Sequence, residues 1–318
     1  MTLKPWMRDF LWMATGAALL LGVVLVVFLL HKDENPSRQL ARKVDRIERV
    51  ARIRLAMATA SEAEKSAVMA ITDEESQTFA DQARAATAQA DRERRELKEL
   101  LAADGTADER KLLDHFSQAF VDLQRIDADL LVLAVKNTNL KASSLAFGPA
   151  AAAIKEMEAA LGRLVARTAT SAGTGEVARL ASGVQVGALH IQILFAPHIA
   201  EESDQKMDAL EGLMAKEEHR VREDLDALAK VPRLSGDPDL AAVVTSYARF
   251  HEVKARILAL SRENTNVRSL AISLMQKRKA ALLCNDALLA LQQALQAEPV
   301  AGFTYPLPAS PRSLGPRE

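Results

Sequence analysis

The sequence predicts an all-α protein: an N-terminal transmembrane helix followed by two tandem up-down four-helix-bundle-like modules. Three observations carry that expectation. An uncharged run of 21 residues, Phe10 to Leu30, is long enough to cross a bilayer core as a helix. Ala, Leu, Glu, Lys, Arg and Gln dominate the rest, and these residues lose little side-chain freedom in a helix. Polar triplets then recur at a fixed offset of 127 residues, the signature of an internal duplication.

Residues 1–9 form a short flank, and 10–30 form the span. Trp6 and Trp12 stand where interfacial aromatics are expected. The run ends in Phe28, Leu29 and Leu30 with no small-residue cleavage pattern after it, so an uncleaved anchor is favoured over a signal peptide. Lys32, Arg38, Arg42, Lys43, Arg46 and Arg49 follow closely, and the positive-inside rule then places the following region in the cytoplasm.

The duplication pairs Asn137-Thr138-Asn139 with Asn264-Thr265-Asn266, and Glu74-Glu75-Ser76 with Glu201-Glu202-Ser203. It predicts a first module over 36–170 and a second over 171–297, joined near Thr168 to Gly175. In the first, Leu40, Val44, Ile47, Val50, Ile53 and Met57 mark one helix face. A second helix runs from about Glu74 to Ala103 and stops at Asp104-Gly105. Thr106 and Glu109 are spaced for a capping box that opens the third. Its expected core face is Leu112, Phe116, Phe120, Leu123, Ile126, Leu130 and Leu133. The fourth follows Asn137-Thr138-Asn139 and reaches about Arg167. In the second module Val231-Pro232 ends the second helix and Ser235-Gly236-Asp237-Pro238 opens the third. That helix carries Leu240, Val244, Tyr247, Phe250, Val253, Ile257 and Leu260. The Asn-Thr-Asn triplets admit a tight reversal, giving two antiparallel bundles, or a continuous helix of about 90 Å. The reversal is preferred. Residues 298–318, with five prolines in 21 residues, read as a disordered tail.

With these segments in place, the chain resembles the four-helix-bundle sensory domain of bacterial methyl-accepting chemotaxis receptors. The resemblance rests on a span running into a long helix, then Glu64 to Ala83, Thr106 to Phe120, Leu140 to Leu161, and the joint Ser261 to Leu274. It implies a sensory, ligand-binding region acting in signal transduction and chemotaxis. It also implies a homodimer on the bacterial inner membrane, a periplasmic bundle, and a small-molecule ligand or a partner receptor. No second hydrophobic run follows Leu295, so the expectation is an input region without its own output domain. In such bundles arginines on facing helices bind carboxylates, which makes Arg125, Arg163, Arg256 and Arg268 candidates.

The residues argue against other classes. Lys plus Arg (41) nearly balances Asp plus Glu (42), so bulk charge gives no footprint for nucleic acid. One cysteine, Cys284, rules out an intrachain disulfide and reads as a small apolar residue. The histidines (His31, His115, His190, His198, His219, His251) show neither H-x-x-x-H nor E-x-x-H spacing, so no metal or other cofactor is expected. His190 and His198 read as ordinary helix positions. There is no phosphate-binding glycine loop and no nucleophile elbow, so no enzyme is expected. Glu74-Glu75 and Glu201-Glu202 complement helix dipoles, and the asparagines read as caps. The alternative function is a membrane-tethered helical scaffold that docks another receptor or an envelope component.

Overall fold

A computed structural model describes residues 36–169 and 174–298. The expected span at 10–30, its flank at 1–9 and the tail beyond Glu298 lie outside the described residues. The described residues are all-helical, with no strand among them. In chain order they form α1 (Pro36–Met69), α2 (Asp73–Asp104), α3 (Ala107–Ala134) and α4, which comprises Thr138–Leu145, a π turn at Ala146–Ala150 and Ala151–Thr168. The second copy gives α5 (Thr174–Ile193), the short α6 (Phe195–Ala200), α7 (Asp204–Ala229) and α8 (Pro238–Glu263). Last comes α9, comprising Thr265–Ile272, a π turn at Ser273–Lys277 and Arg278–Ala297.

Local signals set the helix ends. Thr72 caps α2 by accepting from Glu75 N at 3.2 Å, and Asp73, Glu74 and Glu75 put negative charge on its first turn. Gly105 turns into extended backbone and ends α2, and a Cβ there would lie 2.6 Å from Leu101 O, so glycine fits the position. The capping box of α3 is complete: Glu109 N donates to Thr106 Oγ1 at 3.2 Å, and Thr106 N donates to Glu109 Oε2 at 2.8 Å. Asp237 caps α8 through Asp239 N and Leu240 N, with Pro238 at the first helical position. Pro149 lacks an N–H and sits inside the π turn of α4, where the regular ladder breaks. Its counterpart in α9 repeats the bulge without a proline.

The tight reversal at Asn-Thr-Asn does not occur. Helix α4 leaves α3 and packs against α8 and α5, while α9 leaves α8 and packs against α3 and α1. The packing units therefore differ from the repeat units 36–170 and 171–297. The first bundle is α1, α2, α3 and α9; the second is α4, α5 with α6, α7 and α8. The two copies exchange their fourth helices. Contacts such as Arg163 to Asp239 and Asn139 to Asn264 make α4 antiparallel to α8, and Lys277 to Asp127 does the same for α9 and α3.

At the crossing, Asn137 and Asn264 adopt left-handed backbone, φ 51° and 53°, a conformation asparagine tolerates better than most residues. Neither side chain caps its own helix. The capping is reciprocal across a pseudo-two-fold axis. Thr138 N donates to Thr265 Oγ1 at 3.2 Å, and Thr265 N donates to Thr138 Oγ1 at 3.1 Å. Asn139 N donates to Asn266 Oδ1 and Asn266 N to Asn139 Oδ1, at 3.2 and 3.1 Å. Each new helix thus satisfies its orphan N–H groups on its twin's side chains.

Gly175–Ala200 is long and apolar enough to cross a membrane by length and composition. It covers α5 and α6 of the second bundle, with about two-fifths of its most apolar stretch (39%) buried there. Val177, Leu180, Val184, Ala188, Ile191, Phe195 and Ile199 bury its apolar face. Gly187 lets it approach α7 so closely that a Cβ would meet Val221 Cγ2 at 2.4 Å.

The start of α1 and the end of α9 meet at one end of the first bundle, where Lys43 Nζ donates to Gln296 O at 2.9 Å. Of the basic residues there, Lys43 and Arg46 are buried, and Arg42 and Arg49 lie partly exposed at the surface. Arg42 pairs with Asp104 at 2.9 Å, Arg46 with Asp104 and with Glu109 at 3.7 Å, and Arg49 with Glu93 at 3.0 Å.

Candidate functional site

The core of the first bundle is interrupted by a charged layer. On α1 the buried stripe runs Val50, Ile53, Met57, Ala60 and then Glu64 before Ala67. On α3 it runs Leu113, Phe116, Phe120, Leu123 and then Asp127 before Leu130. The expected face is thus rotated slightly: Leu112, Ile126 and Leu133 are only half-buried, and Asp127 takes the inward place. On α9 the π turn ends at Lys277, which points inward ahead of Ala280 and Cys284. The extra residue of a π turn shifts the helix phase and aims that side chain at the bundle axis.

Lys277 is the hub. Its Nζ is in ionic contact with Glu64 and lies 3.0 Å from Asp127 Oδ1. The three side chains are 5%, 1% and 10% exposed. Glu64 Oε1 has no hydrogen-bond partner among the described residues. Two carboxylates therefore face one ammonium where burial penalises charge. Burial raises the Asp127 pKa, Lys277 opposes that rise, and Glu64 adds to it.

A cavity of about 520 Å³ opens onto this layer. Met57, Ala60, Phe120 and Leu123 wall it, Asp127 and Lys277 bound it inside, and Ser61, Lys65 and Asn285 stand along the α1–α9 seam. A hollow of about 450 Å³ continues along the seam past Glu64 to Leu270 and Leu274. Asp127 also borders a hollow of about 440 Å³ between α2 and α3. Small side chains border these spaces: Ala58, Ala60 and Ala281 the first, and Ala88 and Ala128 the hollow between α2 and α3. A larger depression of about 1030 Å³ near Ala107 and His115 is lined by exposed and half-buried side chains and holds no buried charge.

The second bundle differs at the same places. The 127-residue offset maps Glu64 to Ile191, Asp127 to Lys254 and Lys277 to Ala150. Its core is one continuous apolar cluster. Lys254 pairs with Glu218 of α7 at 2.5 Å, and Glu218 also takes Arg222 at 2.6 Å and contacts His251. Burial pushes the Glu218 pKa up, but Lys254, His251 and Arg222 together hold it below its ordinary value.

The four candidate arginines do not converge. Arg125 lies on α3, 73% exposed, 3.9 Å from Asp122. Arg163 on α4 pairs with Asp239 at 2.8 Å. Arg256 on α8 and Arg268 on α9 are exposed. His190 is exposed, whereas His198 is fully buried: Nδ1 lies 2.8 Å from Ser261 Oγ and Nε2 lies 2.9 Å from Glu211 Oε1. Cys284 is buried, and burial with Asp127 and Asp122 nearby pushes its thiol up to about 12. Among the described residues no group of three or more His, Cys, Asp or Glu is placed to hold a metal ion.

Charges at apolar stripe positions were the sequence signal for Glu64 and Asp127. Lys277 gave a weaker one, because its inward aim depends on the π turn. No protein-family model matches the chain, and no curated protein is similar to it.

Proposed function

We propose that the chain is the ligand-binding input region of a membrane-anchored sensory protein, with the ligand held in the first bundle. One observation carries this reading: a charged layer and an adjoining cavity divide the apolar core of one bundle into two clusters, where its twin keeps one apolar cluster and holds its Lys254–Glu218 pair beside it. A buried charge cluster beside an open cavity costs stability, and such costs gather at binding sites. The anchor is residues 10–30, on the inner membrane of a bacterium, in line with the resemblance to chemoreceptor input domains. The meeting of α1 and α9 ends at one pole then sets the first bundle next to the bilayer and the second beyond it. The resemblance favours the periplasm for the bundles, whereas the basic flank after the span favours the cytoplasm by the positive-inside rule.

The test is a thermal-shift screen of the full chain in detergent against amines, amino acids, organic acids and sugars. A native-state ligand raises the melting temperature in proportion to the logarithm of its concentration. A screen in which no compound raises it, or in which the shifts survive filling the cavity with Ala281→Leu, sinks the proposal. A reporter fusion near Gly236 decides the side of the membrane.

A tethered scaffold is the second reading. Met69, Ile71, Leu274 and Met275 near the crossing are 62–77% exposed, a cluster of apolar side chains suited to a protein partner. Crosslinking in membranes should then recover a stable heterologous partner; recovery of self-dimers alone counts against it.

A further inference from the structure

Granting that the first-bundle cavity is a ligand site, its chemistry restricts what can enter. The layer carries two carboxylates and one ammonium, all at least nine-tenths buried. The other cations that line these hollows, Arg54, Lys65, Arg84, Arg92 and Arg95, are exposed to solvent and lie outside the buried layer. Arg84 is paired with Asp81 and Arg94 with Asp91 on α2. Arg54 of α1 donates to Gln292. Lys65 and Arg278 are exposed at the rim. One negative charge is therefore left over, and it borders open space at Asp127.

We infer that this cavity binds a small primary ammonium ion, its charged group against Asp127 and its apolar body against Met57, Phe120 and Leu123. The ligand extends the row Glu64, Lys277, Asp127 by one cation, so that charges alternate in sign. A carboxylate ligand would add a third anion to the layer. A metal ion would have to displace Lys277 from the two carboxylates of the buried layer. A diamine would set its second charge towards Lys65 and Arg278. A volume of about 520 Å³ lies within the range of small-molecule sites. Because Asp127 must be ionised, ligand and proton compete for it, and binding weakens as pH falls.

The test compares pentylammonium, pentanoate and pentanol with the full chain in detergent, read by calorimetry and by melting temperature. Pentylammonium should bind and stabilise, while pentanoate should not. Asp127→Asn should weaken its binding roughly tenfold or more, the loss expected for one charged contact. Ala281→Leu, which fills the seam and removes no charge, should weaken it as well. Wild-type affinity should fall on acidification, and that of Asp127→Asn should not. Unchanged affinity in both variants, or equal binding of pentanol, overturns the inference. Stabilisation by pentanoate instead overturns the ammonium assignment and leaves the sensory reading standing. No stabilisation by any of the three overturns the assignment too, and the sensory reading then rests on the wider screen.

Discussion

The two bundles are built from the same repeat, and they spend their interiors differently. In the second, Ile191 and Ala150 close the core, and the buried carboxylate Glu218 sits among Lys254, Arg222 and His251. In the first, Glu64 and Lys277 occupy those two positions, and the buried cation is the one outnumbered. A shared backbone plan thus carries a structural core in one half and a charged, hollow one in the other. Duplication preserved the crossing and both π turns, and the difference lies in a few inward side chains.

The largest test of that contrast is Lys277→Met. It leaves Glu64 and Asp127 facing each other in the first bundle, and breaking a buried pair from one side costs about 3–5 kcal/mol. Urea unfolding should show the loss, and hydrogen exchange should confine it to α1, α3 and α9. Equal loosening of α5 and α7 would mean that the bundles do not differ as units.

Thr265→Val is the next. It removes the hydroxyl that accepts from Thr138 N and leaves that N–H buried, at about 1–3 kcal/mol. Because the crossing serves both bundles, exchange should rise in both. A response in one bundle alone would break the symmetry argued for the crossing.

Acid should act with opposite sign on the Asp127 layer and on Glu211 and Glu218 of the second bundle. The Arg262 hydrogen bond, outweighing burial, lowers the Glu211 pKa, with His198 adding to it, and cations lower that of Glu218. Their contributions are present above the unfolded carboxylate range and are lost as pH falls through the lowered values. The raised pKa of Asp127 works the other way: its stabilising contribution is complete below the unfolded value and is lost as pH rises through the raised one. Exchange measured from pH 7 down to pH 4, corrected for intrinsic rate, should show α7 and α8 loosening while the Asp127 layer tightens. The smallest effect follows from the same sign. Asp127→Asn should raise the melting temperature by a few degrees at pH 7 and by less at pH 4. A decrease at pH 7 would show that the layer does not burden the fold.

Much of this architecture is legible in the sequence, because caps and stripes are local. Thr106 with Glu109, the stop at Gly105 and the Asp237-Pro238 start all appear where their spacing places them. The crossing is not local. A left-handed asparagine serves a reversal and a run-on equally well, and the choice is made by which surface receives α4. The charged layer lies between these cases. Asp127 falls on the apolar stripe four residues after Leu123 and three before Leu130, yet Ile126 beside it offered the period an easier place. Lys277 turns inward through a π turn whose sequence, Ser273 to Lys277, lacks the proline that marks its twin. The arginines were chosen by charge alone, and no packing rule brings Arg125, Arg163, Arg256 and Arg268 together.

The exchange of fourth helices also fixes the order in which the molecule can be finished during synthesis. The first three helices have emerged by Ala134, but the helix that closes their bundle begins at Thr265. At about 5–20 residues per second, roughly 7–26 seconds separate the two. Through that interval Val50, Ile53, Phe116 and Phe120 form an open trough on the nascent chain, while the second bundle is assembled completely. A chaperone that shields apolar surface should bind the nascent chain in that window and be released when α9 lies down along α3.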